Sequence, residues 1–198
     1  MNMAEHYRQL FYKYGDSPEA NQWSNIETQE MRFKILTEIA DLNGAKIIDF
    51  GCGTAHLATY LKEHGVQVDY TGVDIVEEML EFAGNKYPEY NFCRQADAVK
   101  DTYDYAFVSG TFNNLVKNNR RFYRETIANL FDRVRKGLAF NMLSYYVDYY
   151  DKGLFYEKPE EAFAFVKQEI SPYVILRNEY QLKTGIVPFE FTIYVYRK

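Results

Sequence analysis

Between residues 46 and 143 short apolar runs alternate with segments of helical periodicity, and this rhythm restricts the possible folds more than any other feature of the chain. "KIIDF" (46–50) reads as a strand, 54–64 as a helix closed by Gly65, 67–74 as a strand and 76–86 as a helix stopped near Pro88. The pattern continues with strands at 91–96 and in "YDYAFVSG" (103–110), a helix over 119–134 and a strand in "GLAFNML" (137–143). Strand, helix, strand in this order packs as parallel strands joined by crossover helices. The expected fold is α/β, a mostly parallel sheet with helices on both faces.

The two ends depart from that rhythm. Residues 3–14 form an amphipathic helix broken by "GDSPEANQWSN", and a second helix covers 27–41, with Met31, Ile35 and Ile39 along one stripe and Phe33, Leu36 and Ala40 beside it. After a helix at 159–170, "YVILRNEY" (173–180) and "FEFTIYVYR" (189–197) are two strands separated by a segment containing Gly185 and Pro188, which reads as a closing antiparallel hairpin. No internal repeat or low-complexity tract divides the sequence. The expectation is one domain over 1–198, with 1–44 as a helical cover and 45–198 as the core.

Composition removes several function classes. Against 28 acidic side chains stand 23 basic ones, a net charge of -5, so no global positive field is available to hold nucleic acid. Cys52 and Cys93 form no CxxC pair, and His6, His56 and His64 lack metal-site spacing, which points to reduced thiols and no metal. Neither a secretory h-region nor a run of about 18 apolar residues occurs, so a cytoplasmic protein without membrane contact is expected. Tyr and Phe are abundant, at 19 and 15 residues, and tyrosine suits the walls of partly wet pockets as well as cores.

The chemistry concentrates in "IIDFGCGTAHL" (47–57). Gly51 and Gly53 directly after a strand permit a tight turn and the close approach of a ligand to the backbone, while the next helix start offers unpaired N–H donors. In "YTGVDIVEEML" Asp74 ends the second strand 23 positions after Gly51, where a carboxylate can accept both hydroxyls of a ribose. An Asp there also caps a helix well, and the two roles are compatible. The third glycine of a dinucleotide fingerprint is replaced by His56, and no lysine follows the turn as in a phosphate-gripping loop. An adenosine ligand without a closely bound pyrophosphate is the reading that remains.

These two stretches resemble the glycine-rich first motif and the ribose-binding acid of the class I S-adenosylmethionine (SAM)-dependent methyltransferases. The resemblance implies a Rossmann-like seven-stranded sheet, SAM as cofactor and S-adenosylhomocysteine (SAH) as its product. It carries Asp49, Gly51, Cys52 and Gly53 over to the methionyl end, and Asp74 and Ile75 to the ribose and adenine. Ala55 departs from the pattern, since a third glycine is common there; the expected cost is a little space. "CRQADA" matches the adenine-binding segment through Asp97 and Ala98, and "SGTFN" (109–113) the segment that passes the sulfonium, with Ser109 on the cofactor and Asn113 facing the acceptor. The N-terminal segment is similar to the cover of small bacterial members, so that Trp23 would cover the cofactor and Arg32 would reach its carboxylate, which a guanidinium matches bidentately.

For the acceptor, His6, Tyr7 and Tyr14 from the cover, Asn113 after the fourth strand, and Tyr145 and Tyr146 after the fifth are the candidate catalytic groups. "SGTFN" lacks the N/D-P-P-Y/F signature of amino-group methylation of bases and glutamine. A small molecule methylated at O or N, by a monomer or homodimer, is the expectation. A protein or nucleic-acid methyltransferase and a non-catalytic SAM-binding regulator remain the alternatives.

Overall fold

The structure is a computed structural model that describes residues 2–17, 20, 25–94 and 101–198. Its centre is a seven-stranded sheet, in spatial order β3-β2-β1-β4-β5-β7-β6. The strands are β1 (Ala45–Phe50), β2 (Val68–Val73), β3 (Asn91–Cys93), β4 (Tyr103–Val108), β5 (Val134–Leu143), β6 (Val174–Arg177) and β7 (Glu190–Tyr196). β1 to β5 run parallel, with Ile48 opposite Thr71 on β2 and Ala106 on β4. β7 is antiparallel to both β5 and β6, so the two last strands form the expected antiparallel closure.

Alternation along the strands feeds two cores. Ile48 and Phe50 of β1 point to one face, where Tyr123 and Ile127 of α5 (Asn119–Phe131) and Phe165 of α6 (Pro159–Phe165) cover them. Ala45 and Ile47 point to the other, beneath Phe33 and Leu36 of α2 (Ile26–Thr37) and Leu57 and Leu61 of α3 (His56–Glu63). Gly65 at φ 72° lets the chain leave α3 in the left-handed conformation expected of it. Helix α4 (Glu77–Lys86) follows β2, and α1 (Met3–Tyr14) packs on it through Phe11 against Phe82 (5.7 Å between ring centres) and Arg8 to Glu78 (2.7 Å).

The helix expected at 159–170 keeps those bounds, while other details differ from the sequence-based reading. α2 ends at Thr37 rather than near 41, and of the expected stripe Ile35 and Ile39 are buried, with Phe33 and Leu36 beside them, while Met31 faces outward. The helix from Pro159 widens over Val166–Ile170 into a π turn, in which the Ser171 N–H reaches back five residues to the Val166 carbonyl (2.9 Å). β3 stops at Cys93, and the rest of the expected 91–96 strand falls partly on residues 95–100, outside the described residues.

The chain order makes β1 and β4 the neighbours at which winding reverses direction. In open α/β sheets such a switch point leaves a crevice beyond the carboxyl ends of the strands, where ligands sit.

Candidate functional site

The turn after β1 is built on that crevice. The Val73 carbonyl accepts the N–H groups of both Gly51 (2.7 Å) and Cys52 (3.0 Å), which ties the exit of β1 to the exit of β2. Gly51 sits at φ 82°, and a Cβ built there would fall 2.2 Å from Thr111 Oγ1, the hydroxyl that donates to the Phe50 carbonyl (3.0 Å). Gly53 follows at φ 54° and Ala55 at φ 65°. Ala55 is the departure from the glycine pattern, and its cost is conformational rather than spatial: an L-residue in the left-handed region gives up about 1–2 kcal/mol.

Two carboxylates face the turn. Asp74 accepts the Gly53 N–H on one oxygen and the Val76 N–H on the other, both at 2.9 Å, so it locks the glycine loop and opens α4 at once. Burial pushes its carboxyl above the ordinary range, with the Val76, Gly53 and Ile75 N–H groups pulling the other way. Each carboxylate oxygen keeps a lone pair for a further donor. Asp49 is buried and receives the Tyr70 hydroxyl at 2.6 Å. Burial raises it from 3.8 to about 7 against that hydrogen bond, so near neutrality it is poised to gain or lose a proton. The Cys52 thiol is pushed far up by burial and then by the two acids, and stays a packed, protonated group.

The third wall is the exit of β4. Ser109, Gly110 and Thr111 line the space, and the Ser109 hydroxyl has no hydrogen-bond partner among the described residues. Asn114 Nδ2 donates to the Tyr7 hydroxyl oxygen (2.5 Å), which bridges the cover helix α1 to this segment. Burial, then the charge of Asp74, pushes Tyr7 up to about 12. Tyr7 therefore remains a neutral phenol at physiological pH, a hydrogen-bonding group rather than a general base. Between these walls and α1 lies a cavity of about 480 Å³, within the range of small-molecule and cofactor sites.

A latch holds the cover in place. His56, at the start of α3, bonds Gln29 of α2 through Nδ1 (2.9 Å) and Asp16, just after α1, through Nε2 (2.8 Å). Lys86 donates to the same Asp16 at 2.8 Å. Burial alone would raise Asp16; the bonds from His56 and Lys86 overturn it and hold the carboxyl well below the usual carboxylate range. Gln29 and His56 both line the cavity, and neither was singled out as a site residue from the sequence. Only the position of His56 at a helix start on the glycine loop hinted at it.

Of the residues expected from the sequence, Asp49, Gly51, Cys52, Asp74, Ile75 and Ser109 line the cavity together with Tyr7. Gly53 contributes through its N–H to Asp74. Trp23, Asp97 and Ala98 lie outside the described residues. Arg32 does not line the cavity: the buried carboxylate of Glu190 on β7 takes its Nε at 2.8 Å, and its guanidinium also bonds the Thr28 carbonyl. Asn113 is turned inward by the tight turn that its N–H closes on Gly110 (3.1 Å), so its neighbour Asn114 reaches the cavity instead.

The remaining acceptor candidates, His6, Tyr14, Tyr145 and Tyr146, do not line the cavity. His6 packs edge-on against Tyr7 (5.4 Å), and Tyr14 lies exposed beyond it with Lys13 over its ring. Tyr145 and Tyr146 are exposed on the loop after β5. That loop is nonetheless fastened to the β4 exit, with the Phe155 N–H on the Asn113 carbonyl (2.8 Å) and the Leu115 N–H on the Gly153 carbonyl (2.9 Å). Among the described residues no cluster of three metal-ligating side chains occurs, and no helix is long and apolar enough to cross a membrane.

Comparison with known proteins bears on the family and the fold. The family model described as "Methyltransferase domain" matches residues 47–139, from β1 to β5. "Putative methyltransferase Rv1506c" of Mycobacterium tuberculosis is 32% identical over 160 residues, covering 75% of this chain and 91% of that protein. Among solved structures, the magnesium protoporphyrin IX methyltransferase ChlM from Synechocystis PCC 6803, with bound SAM, superposes with a TM-score of 0.65 at 16% identity, covering 100% of this chain and 92% of ChlM. A SAM-dependent methyltransferase from Archaeoglobus fulgidus gives 0.66 at 14% identity, over 97% of this chain and 100% of that one. At such identities the two structures speak for the fold.

Proposed function

Because the chain belongs to the class I SAM-dependent methyltransferases, we propose that it transfers the cofactor's methyl group to an oxygen or nitrogen of a small-molecule acceptor. When bound, SAM supplies a methyl already activated on a sulfonium, so the protein's work is alignment and exclusion of water. In this reading Asp74 accepts the ribose hydroxyls with its unused lone pairs, Ile75 packs on the adenine, and Gly51 lets the backbone pass under the methionyl end beside Asp49. The Ser109 hydroxyl, without a hydrogen-bond partner among the described residues, and the neutral Tyr7 phenol are polar groups that would face the reacting end.

The observation that carries a small acceptor is the cover. Met3 and Tyr7 of α1 line the cavity, and Tyr7 is bonded across it to Asn114. Beside α1, the cavity is lined by Val116, Lys117, Arg121, Phe122 and Glu125 at and before the start of α5, so an acceptor would be held between these two helices. A cavity of about 480 Å³ covered by α1 favours a small molecule over a folded protein or a duplex. SAM labelled in its methyl group, incubated with the enzyme and fractionated cell extract, tests this: label is expected in the low-mass fraction, and label confined to protein or nucleic acid would overturn it.

A further inference from the structure

Arg32 was a candidate for the cofactor carboxylate, and its actual partners form a polar chain through the core. Arg32 Nε donates to Glu190 Oε2 (2.8 Å), Asn141 Nδ2 donates to Glu190 Oε1 (3.0 Å), and the Gly110 N–H donates to Asn141 Oδ1 (2.7 Å). All are buried: Arg32 is 5% exposed, Glu190 1% and Asn141 0%. The chain starts on α2, crosses β7 and β5, and ends on one backbone N–H in the cavity wall.

Its direction follows from donor counting. The Gly110 N–H can only donate, so Asn141 presents its oxygen there and its NH₂ to Glu190, whose carboxyl burial pushes up while Arg32 and Asn141 favour the accepting carboxylate. Gly110 stands at φ 70°, at the bend between Ser109 and Thr111. Without Asn141 Oδ1 its N–H would be a buried donor with no acceptor, and the bend would lose its fixed orientation. A buried ion pair is by itself weak support for stability, because desolvation offsets the attraction. Geometry at the cavity wall is what this chain of bonds supplies.

We propose that Arg32, Glu190 and Asn141 are positioning residues that orient the Gly110 bend for cofactor binding. The inference rests on the reading that Ser109, Gly110 and Thr111 form the cofactor's wall.

The one-atom change Glu190→Gln tests it. Arg32 retains the amide oxygen, the introduced NH₂ then faces Asn141, and Asn141 must rotate, turning its own NH₂ toward the Gly110 N–H. SAH binding by calorimetry should weaken by about fivefold or more, the loss of one hydrogen bond, and the Gly110 amide resonance should shift and exchange faster. The swap Glu190→Gln/Asn141→Asp places a carboxylate on β5 where it accepts from both the new side-chain amide on β7 and the Gly110 N–H. It also keeps one negative charge within reach of Arg32, so affinity and resonance should return. Unchanged SAH affinity and an unmoved Gly110 amide in folded Glu190→Gln would overturn the inference. If Glu190→Gln does not fold, the swap decides alone: recovery supports the relay, and a folded swap that binds SAH weakly refutes it. Failure of the wild type to bind SAH would instead strike the reading of the site.

Discussion

Replacing Gly51 by alanine tests the glycine turn where two separate costs can be told apart. At φ 82° the new residue is held in the left-handed region, about 1–2 kcal/mol, of which about 0.4–1 kcal/mol is recovered because alanine has fewer unfolded conformations. The Cβ, 2.2 Å from Thr111 Oγ1 and 3.3 Å from Thr111 Cβ, cannot be accommodated unless the β4 exit moves, which costs about 1–3 kcal/mol more. The sum is about 3 kcal/mol of destabilisation, or roughly 6–12 °C in Tm for a chain of this length. Thr111→Ala alone loses the bond to the Phe50 carbonyl, about 1 kcal/mol. In the double variant the 2.2 Å overlap is gone and only the tight 3.3 Å approach to the Cβ of residue 111 remains, so it should be about 1 kcal/mol more stable than Gly51→Ala. Urea unfolding of the four proteins gives this coupling directly. Simple additivity, with the double variant less stable than either single one, would refute the contact between the two turns.

Other consequences concern the acid and the alanine beside it. Because Asp49 is raised from 3.8 to about 7 in the fold, the ligand-free protein is fully stabilised by this group below about pH 4 and loses up to about 4 kcal/mol as pH rises through 7. Urea midpoints of wild type and Asp49→Asn should diverge over that window, and parallel curves would show an ordinary carboxyl. If the ionised form is what receives the methionyl ammonium, SAM affinity should rise about tenfold from about pH 6 to about pH 8 in the wild type and stay flat in Asp49→Asn. Ala55→Gly relieves about 1–2 kcal/mol of strain but gives up about 0.8 kcal/mol of buried methyl and about 0.4–1 kcal/mol of unfolded-state restriction, so its urea midpoint should hardly move. Ala55→Val puts a β-branched side chain at φ 65° in a fully buried place and should cost about 3 kcal/mol or more; a tolerated valine would contradict that backbone conformation.

The elements were legible because they rest on local periodicity. The strand–helix alternation located β1 to β5, and the two apolar runs after Pro159 located the closing pair. Glycines and acids at strand ends were legible for the same reason: Gly51 and Asp74 act within a few residues of their own strands. Pairings across the sheet were not. Arg32 and Glu190 are 158 residues apart, and nothing in "EMRF" distinguishes a guanidinium bound for the core from one bound for a ligand. Asn113 and Asn114 are identical in kind, and only the turn closed on Gly110 decides which of them faces the cavity. Ala55 hid its left-handed backbone because alanine ordinarily avoids it.

The most direct measurement of the central claim is SAH affinity by calorimetry for the wild type and Asp74→Ala, with a thermal melt confirming that the variant is folded. Loss of a charged acceptor shared by ribose hydroxyls costs about 1.5–3 kcal/mol, so Kd should rise by about tenfold to a hundredfold. An unchanged Kd in a folded Asp74→Ala would place the adenosine elsewhere and contradict the account.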